Sequence, residues 1–194
     1  MTGKLLKNYF DSIIELKEEV WDNFAALGHV KSFPKETILK QSGTPEKYFN
    51  FLLEGSGGNL LWYKNNFVCT DISMQMEPLC DYVSFITQNP SSLEVRIFED
   101  SKIFQIQYQN FQKIFLEGNY GEQVTRLALE SAYKEKEQQQ IDLLTKTAKQ
   151  RYLDMIKRDC RLETIPLNYM ASYLGITPQS LSALKKFRNY HMVS

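Results

Sequence analysis

The densest chemistry in the sequence lies near its C-terminal end, in the segment IPLNYMASYLGITPQSLSALKKFR at 165–188. Its residue types suit contact with a polyanion. Thr177, Gln179, Ser180, Ser182 and Ala183 fall on or beside one helical face that also carries Lys185, Lys186 and Arg188. Short polar side chains reach base edges in a major groove, and Lys or Arg meet phosphates. The residues ahead of that face read as its support. Pro166 can start a helix on which Leu167, Met170, Ala171 and Leu174 share one side. Gly175 stands where a left-handed backbone ends that helix cheaply. Thr177 can cap the next helix, Pro178 takes its first position, and Leu181 and Leu184 turn inward. A small residue at 171, a glycine at 175 and an apolar residue at 181 make helix-turn-helix spacing. A plain helical hairpin needs a cap and a glycine, but not all of these at once with a basic second helix.

Charge follows the same division. The chain of 194 residues is formally neutral, with 23 basic and 23 acidic side chains. Residues 146–194 hold nine Lys/Arg and three acids, a net +6, so the rest carries −6. A basic tail on an acidic body suits a separate polyanion-binding module.

Other chemistries find little support. His29 and His191 are the only two histidines, too few for a multi-histidine metal site. Cys69, Cys80 and Cys160 are widely spaced and odd in number, so they read as buried or half-buried thiols in a reducing cytoplasm. We find no nucleophile–base pair and no phosphate-cradling glycine loop. No catalytic residue, metal or cofactor is expected, and an enzyme is a distant reading. No apolar run approaches the roughly 18–20 residues of a membrane span, and MTGKLLKNYFDSII lacks the long apolar core of a secretion signal. A cytoplasmic protein without membrane contact is expected.

The elements that must position the tail come earlier. Residues 4–27 carry a helical apolar period. Short apolar or alternating runs follow at 37–39, 48–53, 60–63, 67–70, 93–98 and 102–106. Turn signals at Ser42-Gly43, Glu54-Gly55, Gly57-Gly58 and Asn65-Asn66 separate the first of them, which predicts a sandwich or β-roll. Phe111, Ile114 and Phe115 suit a short helix stopping near Gly118. A long helix is predicted over 120–143, with Val124, Leu127, Ala128, Ser131 and Ile141 as its apolar seam. Such a narrow stripe must be covered, by the chain's own β-roll or by the same helix of a second copy. A further amphipathic helix spans 146–159, with Ala148, Tyr152, Leu153 and Ile156 inward.

With these elements in order, the chain resembles the cyclic-AMP receptor protein (Crp/Fnr) family of bacterial regulators over about residues 10 to 190. FPKETILKQSGTP at 33–45 resembles the family's first strands, and YFNFLLEGSGG at 48–58 the strand ending in its glycine. TAKQRYL at 147–153 followed by IPLNYMASYLGITPQSLS at 165–182 is the most specific match, similar to a branch common in Bacteroidetes. The resemblance implies an α+β fold in three parts. These are an N-terminal β-roll of the cyclic-nucleotide-binding, jelly-roll kind with flanking helices (1–118), a long dimerisation helix (119–144) and a helix-turn-helix (145–194). It also implies a homodimer on a near-palindromic duplex site, a small-molecule effector, and RNA polymerase as a further partner.

Two departures from the family matter. In CDYVSFITQNPSSLEV at 80–95, Cys80 and Asp81 stand where the family has its Gly-Glu pair, and Ser91 where it has the phosphate-binding arginine. Leu93 replaces the nearby alanine, with Tyr82 and Ser92 completing the degenerate pocket. Asp81 by itself reads as a polar loop residue, and Arg96 or Lys102 are the rivals for the lost cation. A buried phosphate without a paired cation is costly, so cyclic AMP is not an expected ligand, and the pocket holds another effector or none. On the second helix, Pro178, Gln179 and Ala183 stand in the places of the family's Arg, Glu and Arg. Gln179 can still pair with adenine and Ala183 touch a thymine methyl. A DNA-binding transcription regulator is the leading reading. The alternative is a small-molecule sensor acting through a protein partner without reading DNA.

Overall fold

The computed structural model describes residues 2–117 and 121–191, the side chains of 114–117 and 187–191 excepted. The N-terminal period forms two helices, α1 (Thr2–Phe10) and α2 (Glu18–Ala26), rather than the one expected over 4–27. The chain folds back between them, so that Phe10 stacks on Trp21 with ring centroids 4.8 Å apart. Ile13, Ile14 and Leu16 of the connection pack on the same core. Two packed helices bury both stripes on one body, whereas a straight helix would carry part of its stripe past it.

Seven strands follow: β1 (His29–Phe33), β2 (Ile38–Lys40), β3 (Tyr48–Glu54), β4 (Gly57–Tyr63), β5 (Asn66–Ser73), β6 (Leu93–Ile97) and β7 (Ser101–Gln107). They make a three-stranded sheet ordered β1-β7-β3 and a four-stranded sheet ordered β2-β6-β4-β5, every pairing antiparallel. Leu52 and Ile103 from the first sheet meet Val95 and Ile97 from the second. β1 escaped the sequence reading because its first four residues are all exposed, which leaves no alternation to detect. Gly57-Gly58 is strand, not turn. A Cβ on Gly57 would run into Leu79 and the Arg96 carbonyl, so the bare backbone permits close packing. The β4–β5 hairpin turns on Lys64 and Asn65, both at positive φ, as a tight hairpin requires.

α3 (Tyr82–Thr87) sits between β5 and β6, and α4 (Tyr108–Glu117) follows β7. The long helix α5 (Gly121–Thr145) leads to α6 (Ala148–Arg158), which opens on a capping box between Thr147 and Gln150. A 3-10 turn (Cys160–Thr164) precedes α7 (Leu167–Leu174) and α8 (Pro178–His191). Cys160 is exposed rather than half-buried. Leu153 and Leu167, expected inward, are exposed; Tyr152 is buried as expected, and Tyr169, not expected in the core, is buried with it. Among the described residues no helix is long and apolar enough to cross a membrane.

The helical tail does not stand apart. Tyr152, Ile156, Met170, Ala171, Leu174 and Leu181 share one apolar cluster with Leu60, Cys69, Met74 and Phe98 of the β-sandwich.

Candidate nucleic-acid interface and sensor pocket

The turn between α7 and α8 has the geometry its sequence predicts. Gly175 caps α7 at φ 68° and ψ 30°, and its N–H and that of Ile176 bond carbonyls of the last turn. The Thr177 hydroxyl accepts from the Ser180 N–H at 3.2 Å and lies 2.9 Å from the Ser180 hydroxyl, fixing the first turn of α8. Ala171, fully buried, lets the helices approach, and Leu181 seals the corner. Arg151 of α6 donates to the Leu174 carbonyl at 2.8 Å, a charged group at the negative end of α7.

On this support Thr177, Gln179, Ser180, Ala183 and Lys186 are exposed and Ser182 is half-buried. Lys185 departs from the expected outward set. It turns back and donates to the Glu163 carbonyl at 3.1 Å, and partial burial lowers its pKa. The Arg188 side chain lies outside the described residues. Elsewhere in the tail Lys146 binds Asp142 and Asp154, and Arg161 binds Asp159. Part of the +6 is thus answered inside the chain.

The pocket residues come together, but around a cation the sequence reading missed. Lys40 of β2 is buried and sets its Nζ 3.1 Å from Asp81 Oδ2. The same ammonium donates to the Ser91 hydroxyl at 2.9 Å and to the Leu93 carbonyl at 2.6 Å. Ser91 in turn donates to Asp81 Oδ2. Asp81 lies just ahead of α3, as a loop residue would, but it is buried, and its Oδ1 accepts the Ser84 N–H as the cap of that helix. The rival cations are engaged elsewhere. Arg96 pairs with Glu94 at 2.7 Å and Glu36 at 3.2 Å, and Lys102 lies 3.8 Å from Glu54. No spacing rule could flag Lys40, because it lies 41 positions from Asp81 and only the sandwich closes that gap.

Further acceptors lie close to this pair. Glu46 is buried beside Lys40 and Asp81, and one of its carboxylate oxygens accepts the Tyr48 N–H at 3.3 Å. The other oxygen has no partner, and burial pushes the carboxyl up to about 7 against the pull of backbone N–H groups and Lys40. Asn59 donates to the Cys80 carbonyl at 3.2 Å while its own oxygen is unpartnered. The Cys80 thiol faces the Tyr48 carbonyl, and burial raises its pKa well above the usual range. Tyr82 starts α3, and the Ser92 carbonyl accepts the Ser42 hydroxyl at 2.9 Å. Among the described residues no three His, Cys, Asp or Glu are grouped to hold a metal ion.

The seam of α5 is divided. Val124 is buried in its own chain's core with Phe24, Phe85 and Phe104. Leu127, Ala128 and Ser131 are half-buried, and Ile141 is exposed. Leu129, Tyr133, Leu143 and Leu144 are also exposed, an apolar set on α5 that the sequence reading passed over.

No protein-family profile and no curated protein matches this chain. Solved structures do. FixK2 from Bradyrhizobium japonicum superposes with a TM-score of 0.68 at 16% identity, over 84% of this chain and 85% of that one. The c-di-GMP responsive global regulator CLP of Xanthomonas campestris gives 0.65 at 13% identity, over 90% and 93%. The catabolite activator protein of Thermus thermophilus gives 0.58 at 13% identity, over 95% and 88%. The chain has the Crp/Fnr fold. At these identities the likeness is one of architecture: a cyclic-nucleotide-binding-like sandwich followed by helices ending in a helix-turn-helix.

Proposed function

We propose that this chain is a cytoplasmic, homodimeric transcription regulator that reads duplex DNA through α8. One observation carries the reading. A capped helix-turn-helix, on a fold shared with transcription regulators, leaves Thr177, Gln179, Ser180, Ala183 and Lys186 exposed. Amides of Gln type suit adenine, a small apolar group suits the thymine methyl, and a free ammonium suits a phosphate. The proposed division is a sensor over 1–118, a dimer helix over 119–144 and the reader over 145–194. RNA polymerase is the natural second partner of such a regulator.

In this reading the pair of α5 helices covers Leu127, Ala128 and Ser131 together with Leu129 and Tyr133, while Val124 stays with its own core. The operator is then a near-palindrome with half-sites about one helical turn apart. Selecting bound duplexes from a random pool tests the function directly. Enrichment of an inverted repeat is expected, and a pool that stays random after repeated rounds rejects sequence-specific reading. For the dimer, Leu127→Asp is expected to give monomers at micromolar concentration by sedimentation, because a charge does not enter an apolar contact unpaired. A monomeric wild type rejects the dimer.

Cyclic AMP is not the proposed effector. A cyclic phosphate entering this pocket meets Lys40 already committed to Asp81, and it meets Asp81 itself. Titration calorimetry with millimolar cyclic AMP is expected to show no binding, and micromolar affinity would mean that the Lys40–Asp81 pair opens.

A further inference from the structure

The four-stranded sheet ends on β5, and an end strand presents unpaired N–H and C=O groups. Here the helix-turn-helix covers them. The Ser172 hydroxyl of α7 accepts the Cys69 N–H at 2.9 Å and donates to the Phe67 carbonyl at 3.0 Å. One side chain of the reader thus satisfies two backbone groups of the sensor's edge. Beside it Tyr169 stacks on Phe98, centroids 3.9 Å apart and rings within 11°. Its hydroxyl donates to Glu36 Oε2 at 2.5 Å, and the same carboxylate pairs with Arg96. Gln139 of α5 donates to the Tyr173 hydroxyl at 2.6 Å, Lys136 pairs with Asp71 at 2.8 Å, and Arg161 donates to the Gln75 carbonyl at 3.2 Å.

We infer that the helix-turn-helix is clamped to the β5 edge, so that the chain holds its reading face in one orientation without an effector. The inference rests on the DNA-binding reading for its biological meaning, but not for its test. Domain contacts that swing are modest and polar, and part at little cost. Parting this one exposes Tyr169 and Phe98, which are nearly inaccessible now, and strips the β5 backbone of its cap. Thr177, Gln179, Ser180, Ala183 and Lys186 are exposed on α8, so the clamp leaves them open to a ligand.

The pocket points the same way. A ligand shifts an equilibrium only by its difference in affinity for two states. The charges that would supply that difference, Lys40 and Asp81, are satisfied by each other. Both ends of the system hang on β6: the Leu93 carbonyl accepts from Lys40, and Arg96 holds the Glu36 carboxylate that receives Tyr169. Lys40 acts as a built-in counter-ion to Asp81.

Hydrogen–deuterium exchange on the full-length protein tests the clamp. In wild type, peptides over 66–73 and 167–174 are expected to exchange slowly, with no change on adding millimolar cyclic AMP. Ser172→Ala is expected to speed both segments together, roughly tenfold to a hundredfold for the two lost hydrogen bonds. Peptides over 48–54 and 101–107, in the other sheet, stay unchanged. Tyr169→Phe keeps the ring and removes one bond, so it gives the same pattern more weakly and serves if Ser172→Ala does not fold. Fast exchange at 66–73 in wild type, as in an open edge, overturns the clamp. So does a nucleotide that speeds both segments. Fluorescence anisotropy on a selected duplex separates the two readings. Effector-free wild type is expected to bind fully, and the ligand-free reader is overturned if binding appears only on adding a nucleotide. If no duplex is bound under any condition, the DNA reading fails while the exchange pattern still decides the clamp.

Discussion

Lys40 and Lys186 carry the same ammonium group into opposite surroundings. Lys40 has a side chain 1% exposed, with Asp81, Ser91 and the Leu93 carbonyl all within 3.1 Å. Lys186 stands in solvent on α8. In the pocket, burial makes an unpaired charge costly, so Lys40 and Asp81 answer each other, and what is left without a partner is one oxygen each of Glu46 and Asn59. On α8, solvation is the resting partner, and it can be exchanged for phosphate oxygens at small cost. A chemical group is therefore available for binding to the degree that folding has not already used it. Lys185, tied to the Glu163 carbonyl, lies between the two extremes.

The contrast can be broken most forcefully at Lys40. Lys40→Met leaves Asp81 buried and unpaired, and a loss of about 3–5 kcal/mol in urea denaturation is expected. The double variant Lys40→Met/Asp81→Asn removes both charges and is expected to recover most of that loss. A single variant as stable as wild type would mean that the pair is not buried as described.

Glu46 gives the next largest effect, and it depends on pH. Burial pushes its folded pKa up to about 7, above the ordinary glutamate value, so the native state holds the proton longer than the unfolded one. Stability from this group is complete below the unfolded pKa and is lost as pH rises through the folded one. Glu46→Gln mimics the protonated acid, and is expected to stabilise by on the order of 2–3 kcal/mol above the folded pKa. Below the unfolded pKa it is expected to do little. Denaturation midpoints across that range check the sign, and a gain confined to acid pH would refute it.

The smallest effect sharpens the other side. Lys186→Ala is expected to reduce the log–log salt slope of duplex binding by about 0.9, one phosphate's worth. Lys185→Ala is expected to change it less, since that ammonium has an intramolecular partner. Equal changes would place Lys185 at the phosphates after all. The triple variant with Arg188→Ala bounds the whole helix, and an unchanged slope there removes α8 from the interface.

Local chemistry was enough to place the helix-turn-helix in the sequence. Gly175, Thr177, Pro178 and Leu181 act within a few residues of one another, through backbone conformation, capping and one corner contact. Such requirements leave their mark in spacing, and the α7–turn–α8 unit sits where that spacing puts it. Strands with alternating or continuous apolar runs were legible for the same reason. β1, solvated on nearly every residue, was not.

The tertiary structure alone decided the rest. Lys40 meets Asp81 because β2 and the start of α3 converge in space, and neither residue type advertises a partner at that separation. The break between α1 and α2 follows from the shape of the body they cover, since periodicity records a buried face but not the surface that buries it. Ser172 reads as an ordinary polar helix residue until β5 is seen to end its sheet beside it. Short-range geometry is written in neighbouring residues, whereas desolvation and charge pairing depend on which distant groups the fold brings together. The sequence therefore determined the form of the helix-turn-helix, and the fold determined which charges of that unit and of the buried site are paired within the chain.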